Sequence, residues 1–118
     1  MQRDYDIYLE DILEAINKIE RYSRDISYAE FLDSELVIDG IIRNLEIIGE
    51  AIKEIPQETK DKYPDIDWKR IIGLRDIVAH RYFGIDTEII WDIVKNKIIE
   101  LKKCIKEILE SLNKKRKK

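Results

Sequence analysis

Apolar residues recur at steps of three and four along most of the chain, which is the period of an amphipathic helix. Tyr5, Tyr8, Leu9, Ile12, Ile16 and Ile19 form the first such stripe and predict a helix that fades near Arg21. In "SYAEFLD", Ser27 and Glu30 have capping-box spacing, so a short helical turn is expected from Tyr28, leading through a joint near Ser34. Ile38, Ile41, Leu45, Ile48, Ile52 and Ile55 mark a second long helix, and Pro56 ends it because proline cannot continue the backbone ladder. The polar segment "PQETKDKYPDID" reads as a loop with room for one turn, and Asp65 or Asp67 is available to cap the helix beyond it. A third, shorter helix is expected from about Trp68 to Phe83, closed by Gly84. Asp86 then caps a last helix striped by Ile90, Ile93, Val94, Ile98, Leu101, Ile105, Ile108 and Leu112. The pattern predicts an all-α domain, an antiparallel up-down bundle of four main helices with a short extra helix. Within the second helix Gly49 costs about 1 kcal/mol relative to alanine, which points to a neighbouring helix packed close against it.

Composition narrows the function classes. A chain of 118 residues is long enough for one core without disulfides or metal, so a single domain over 1–113 with a basic tail at 114–118 is expected. The tail, "KKRKK", reads as a solvated end. A formal charge of −3 means that any nucleic-acid contact must be local. One cysteine and one histidine form neither an internal disulfide nor a recognisable zinc site within one chain. Cys104 falls near the apolar seam of the last helix, as a small buried hydrophobe and not a nucleophile. Trp68, Trp91 and Phe83 read as packing anchors. The charged opening "MQRDYDIYLEDI" and the absence of a membrane-length apolar run predict a soluble, cytoplasmic protein.

The candidate chemistry is concentrated in "GLRDIVAHRYFGID", Gly73 to Asp86. At about 100° per residue, Arg75, Ala79 and Tyr82 share one face of the predicted helix, while Asp76 and His80 share the adjacent one. Arginine presents a fork of donors suited to phosphate, and histidine titrates near neutral pH. Together they point to phosphoester cleavage. RNA carries its own nucleophile in the 2′-hydroxyl, so a base, an acid and a cation suffice and no metal is required. Separate acid and base groups from a chain with a single histidine suggest a twofold dimer sharing His80 and Arg75 across one cleft. On the second helix Arg43, Glu46 and Glu50 form a polar stripe that reads either as a wall of this site or as a salt-bridged exposed face.

Arg75, His80 and Tyr82 together spell Arg-x4-His-x-Tyr, and with "NLEIIGEAIKEI" and "WKRIIGLRDIVAHRYFGID" the chain resembles the HepT-like ribonuclease toxins of the HEPN superfamily over essentially its whole length. The resemblance implies a HEPN-like bundle that forms a homodimer or a higher oligomer, with the two motif helices lining a composite RNA-cleaving cleft. It implies that Arg75 and His80 are the catalytic pair, that Asp76 is a supporting polar residue, and that cleavage needs no metal or cofactor. It also implies that Tyr82 is adenylylated by a minimal nucleotidyltransferase antitoxin, which would place a bulky anion beside the cleft. The competing reading is a noncatalytic helical subunit that binds a nucleotide or the nucleotidyltransferase through the same face.

Overall fold

The computed structural model describes residues 5–73 and 87–116, and every described element is helical. The first helix, α1 (Asp6–Ser23), buries Leu9, Ile12, Ala15, Ile16 and Ile19, as its stripe predicts. Ser27 opens α2 (Tyr28–Asp33) with both arms of a capping box: Glu30 N–H donates to Ser27 Oγ at 3.1 Å, and Ser27 N–H donates to Glu30 Oε1 at 2.9 Å. The joint near Ser34 is a second N-cap, since Ser34 Oγ accepts from Val37 N–H at 3.2 Å and starts α3 (Glu35–Ile52). Helix α3 stops before Pro56, whose ring disfavours helical backbone in the residue ahead of it, and Pro56 instead leads into the single turn α4 (Gln57–Lys60). Of the two candidate caps, Asp67 caps α5 (Trp68–Ile72), accepting from Arg70 N–H at 3.1 Å. The chain resumes in α6 (Thr87–Asp92), passes through a π-helical turn at Ile93–Lys97, and ends in α7 (Ile98–Arg116).

Two details depart from the expected pattern. The third helix closes in its described part at Ile72, where Gly73 N–H donates to Lys69 O at 2.9 Å; its expected continuation to Phe83, with Gly84 and Asp86, lies outside the described residues. The last helix is not uniformly α-helical: Ile98 N–H donates to Ile93 O, a five-residue step. That wider turn keeps Ile93, Val94 and Ile98 all buried while Lys95 reaches back to α1.

Helices α1 and α3 run antiparallel, with Tyr22 against Gly40 at one end and Tyr8 beside Ala51 near the other. A Cβ at Gly40 would approach the Tyr22 ring to 3.1 Å, so the glycine gives the ring its seat. Helices α1 and α7 are antiparallel as well, because Lys102 pairs with Glu20 at 2.7 Å while Lys95 donates to Ser23 O at 2.9 Å. Isoleucine and leucine from α1, α3, the π turn and α7, joined by Phe31 of α2, form one core. Among the described residues no helix is long and apolar enough to cross a membrane. Helix α7 runs through Arg116, so Lys114 and Lys115 continue it.

Candidate functional site

Arg75, Asp76, His80 and Tyr82 lie outside the described residues, as does Phe83. The structure instead defines how the segment that carries them is anchored at its two ends.

At the entry, α5 is seated on α3 through Gly49. A Cβ there would meet Ile71 O at 3.3 Å and Ile72 O at 3.6 Å, so a side chain would push on backbone rather than on a flexible group. The close approach expected from this glycine is therefore made by the last turn of α5. Trp68, half-buried against the core, donates its indole N–H to both Lys60 O and Tyr63 O at 3.1 Å, tying α5 to the loop before it. The anchoring role expected of this tryptophan is met.

At the exit, Thr87 Oγ1 lies 3.2 Å from Tyr28 Oη. Tyr28 in turn belongs to an aromatic cluster with Phe31 and Trp91, whose ring centroids are 4.9 Å apart. Lys95 sits 4.7 Å over the Trp91 ring and caps the C-terminal end of α1 through Ser23 O at 2.9 Å. Thus Trp91, like Trp68, packs. Neither contact was legible in sequence, since Tyr28 and Thr87 stand 59 positions apart and Lys95 and Ser23 stand 72 apart.

The polar stripe on α3 pairs within its own helix. Arg43 Nη1 meets Glu46 Oε1 at 2.9 Å, and Lys53 lies 3.8 Å from Glu50, all at solvent-exposed positions. This is the salt-bridged face, one of the two readings the spacing allowed. With Tyr8, Asp11 and Glu54, the side chains of Arg43, Glu46 and Glu50 line a cleft of about 520 Å³ between α1 and α3, whose charge is mainly acidic and unsuited to phosphate. Beside Thr87 a second groove, about 330 Å³, is formed by Leu32, Ile38, Ile42 and Ile90 with Asp33 and Glu35 at its edge. Among the described residues no three His, Cys, Asp or Glu side chains converge on a point where they could hold a metal ion.

Among the described residues three titrating groups are displaced from their ordinary values. Burial pushes the Cys104 thiol up to about 12, with Glu107 adding to the effect, so the sulfur stays protonated and unreactive. Burial, then the neighbouring Cys104, Glu107 and Tyr5, raises Tyr63. Burial lowers Lys60. None of these groups was singled out as chemical by the sequence pattern, and the inert reading of Cys104 holds.

Comparison with known proteins places this geometry. A family model described as "Ribonuclease HepT-like" matches residues 12–108, a span that includes the whole Arg75–Tyr82 motif. A "Probable ribonuclease HepT" of Thermococcus cleftensis is 44% identical over 102 residues, covering 86% of this chain and 93% of the relative. A "Gamma-glutamylcyclotransferase and putative RNase" of Methanocaldococcus jannaschii is 45% identical over 114 residues, covering 97% of this chain but 51% of the relative, so the chain spans about half of that protein. No solved structure matches.

Proposed function

Because the chain belongs to the HepT-like ribonuclease family, we propose that it is an endoribonuclease toxin that cleaves RNA without a metal and is silenced by a nucleotidyltransferase antitoxin. The observation that carries the reading is the coincidence of the family match over 12–108 with an intact Arg75, His80 and Tyr82 inside it. His80 takes the proton from the 2′-hydroxyl or returns one to the leaving 5′-oxygen. The 2′-oxygen bonds to phosphorus as the P–O5′ bond breaks, leaving a 2′,3′-cyclic phosphate and a free 5′-hydroxyl. Arg75 holds the phosphate and stabilises the added charge of the crowded transition state. Asp76, four residues before His80, orients the imidazole. Two protomers close one cleft, since each supplies a single histidine and the chemistry uses a base and an acid. Tyr82 is the control point: its adenylylation puts a bulky anion where the RNA phosphate must enter.

The described residues on either side of the motif are held in place, α5 by Gly49 and Trp68 and Thr87 by Tyr28.

The test uses protein made without a nucleotidyltransferase, its intact mass recorded to show a free Tyr82, and end-labelled RNA in excess EDTA. Wild type is expected to cut and leave cyclic phosphate ends, and His80→Ala to lose roughly two to four orders of magnitude in rate, the usual contribution of a general acid or base. Equal cleavage by both, or none by wild type across several RNAs, overturns the assignment and favours the binding-subunit reading.

A further inference from the structure

At the end of the bundle farthest from Thr87, the loop after α3 meets the start of α1 and the end of α7 around a cavity of about 300 Å³. Its apolar part is Pro56, Ile108 and Leu112. Around this surface stand the hydroxyl-bearing side chains of Tyr5, Thr59, Tyr63 and Ser111, with Lys62 and Lys115 as its cations and Glu58 as its one carboxylate. Charge separates it from the other described clefts, where acids equal or outnumber bases. Charge also separates it from the rest of the chain, because five of the 22 basic residues occupy positions 114–118, leaving 17 against 25 acids elsewhere. Among the described clefts this is therefore the net-positive one, and Lys115 in its lining belongs to the basic end of the sequence.

We propose that this cavity is a second RNA contact, which holds one nucleotide of the single strand outside the cleaving site: the base rests on Pro56 and Leu112, and the phosphates are met by Lys62 and Lys115. The proposal rests on the ribonuclease reading above. A nucleotide needs a flat apolar bed, hydroxyl partners for base edge and ribose, and a cation for each phosphate, and the lining supplies all three. The frame is set before any ligand arrives. Tyr5 Oη lies 3.0 Å from Thr59 Oγ1, Lys62 N–H donates to Thr59 O at 3.1 Å, and the Trp68 indole holds Tyr63 O at 3.1 Å. These contacts set the wall of the cavity, while the two exposed lysines are ordered on binding. Burial raises the Tyr63 phenol above its ordinary value, which favours its protonated, donating form.

The experiment measures binding of a fluorescent 2′-O-methyl RNA, which cannot be cut, by anisotropy over a range of salt concentrations. Wild type is compared with the double variants Lys62→Glu/Lys115→Glu and Lys62→Arg/Lys115→Arg. Both lysines are exposed, and thermal melts check that each variant folds. The charge reversal is expected to weaken binding by about tenfold or more and to flatten the log–log salt slope by about 1.4, two contacts at roughly 0.7 each for single strands. The arginine pair is expected to bind as wild type. Unchanged affinity and slope in the glutamate variant overturn the proposal. So does loss of nucleotidyltransferase binding with RNA binding intact, which would make the surface a protein interface, and so does full displacement of RNA by AMP, which would make the cavity a mononucleotide site. The two readings fail separately. Wild type that binds through these lysines but cuts no RNA keeps the contact and removes the ribonuclease reading. Wild type that cuts, with binding untouched by the glutamates, removes the contact alone.

Discussion

Cys104 shows how burial decides what a side chain can do. An acid whose pKa folding raises adds stability that is complete below its unfolded value and is lost as pH climbs toward the folded one. For Cys104 that window runs from 9.0 to about 12. In alkaline unfolding titrations wild type should therefore lose stability relative to Cys104→Val above about pH 9, at up to about 1.4 kcal/mol per pH unit, and the difference should be flat below it. Tyr63, also raised, acts in the same sense from 10.0 upward. Lys60, lowered by burial, acts in the opposite sense, since its penalty in the protonated form lifts as pH rises toward 10.5. Comparing variants that differ only at Cys104 separates its share. A thiol reagent should leave the native protein unlabelled and label it on unfolding. Rapid labelling of folded protein would contradict the burial.

Among the elements, the seating of α5 on α3 is the contact most exposed to test. Gly49→Val keeps α3 helical but drives a branched side chain into the carbonyls of Ile71 and Ile72, the nearer 3.3 Å from where the Cβ would stand. Overpacking of this kind costs about 1–3 kcal/mol, to be read as a lower melting temperature. Because α5 leads into the motif, cleavage should fall by more than the loss of folded protein explains. Trp68→Phe is a milder change. It keeps a smaller aromatic ring but removes the indole donor, and both acceptors keep a backbone partner, Tyr63 N–H on Lys60 O and Ile66 N–H on Tyr63 O. The expected cost is about 1 kcal/mol by chemical denaturation. At the other end, Tyr28→Phe removes the 3.2 Å link to Thr87 while leaving the ring among Phe31 and Trp91, so it tests the exit anchor with the packing kept. A rate unaffected by both Gly49→Val and Tyr28→Phe would mean that the anchors do not govern the motif.

For the whole molecule, the proposed composite cleft would make activity a function of association. Light scattering should give a particle of at least twice the chain mass, and cleavage per chain should fall on dilution as protomers separate. A monomer that cuts at full rate would sink the shared cleft while leaving His80 in place. If the proposed control by adenylylation holds, production alongside a minimal nucleotidyltransferase and ATP should add the mass of one AMP unit, lost in Tyr82→Phe, and the modified protein should not cleave.

The helices, their order and several of their ends were decided by local chemistry and could be read directly. Isoleucine spacing dictates which faces of α1, α3 and α7 are buried, and the Ser27–Glu30 box and the stop before Pro56 depend on residues a few positions apart. Arg75, Asp76, His80 and Tyr82 were chosen from their spacing within eight positions of the chain, and they lie outside the described residues. Tertiary structure decided what joins residues far apart in the chain. It chose Asp67 over Asp65, inserted the π turn that lets Lys95 cap α1, gave Gly49 its neighbour, and linked Tyr28 to Thr87. It also brought Lys62 and Lys115 to one cavity, 53 positions apart in sequence. A hydrophobic period records which side of a helix must leave water, but not which helix will cover it or what polar groups will meet at the seam.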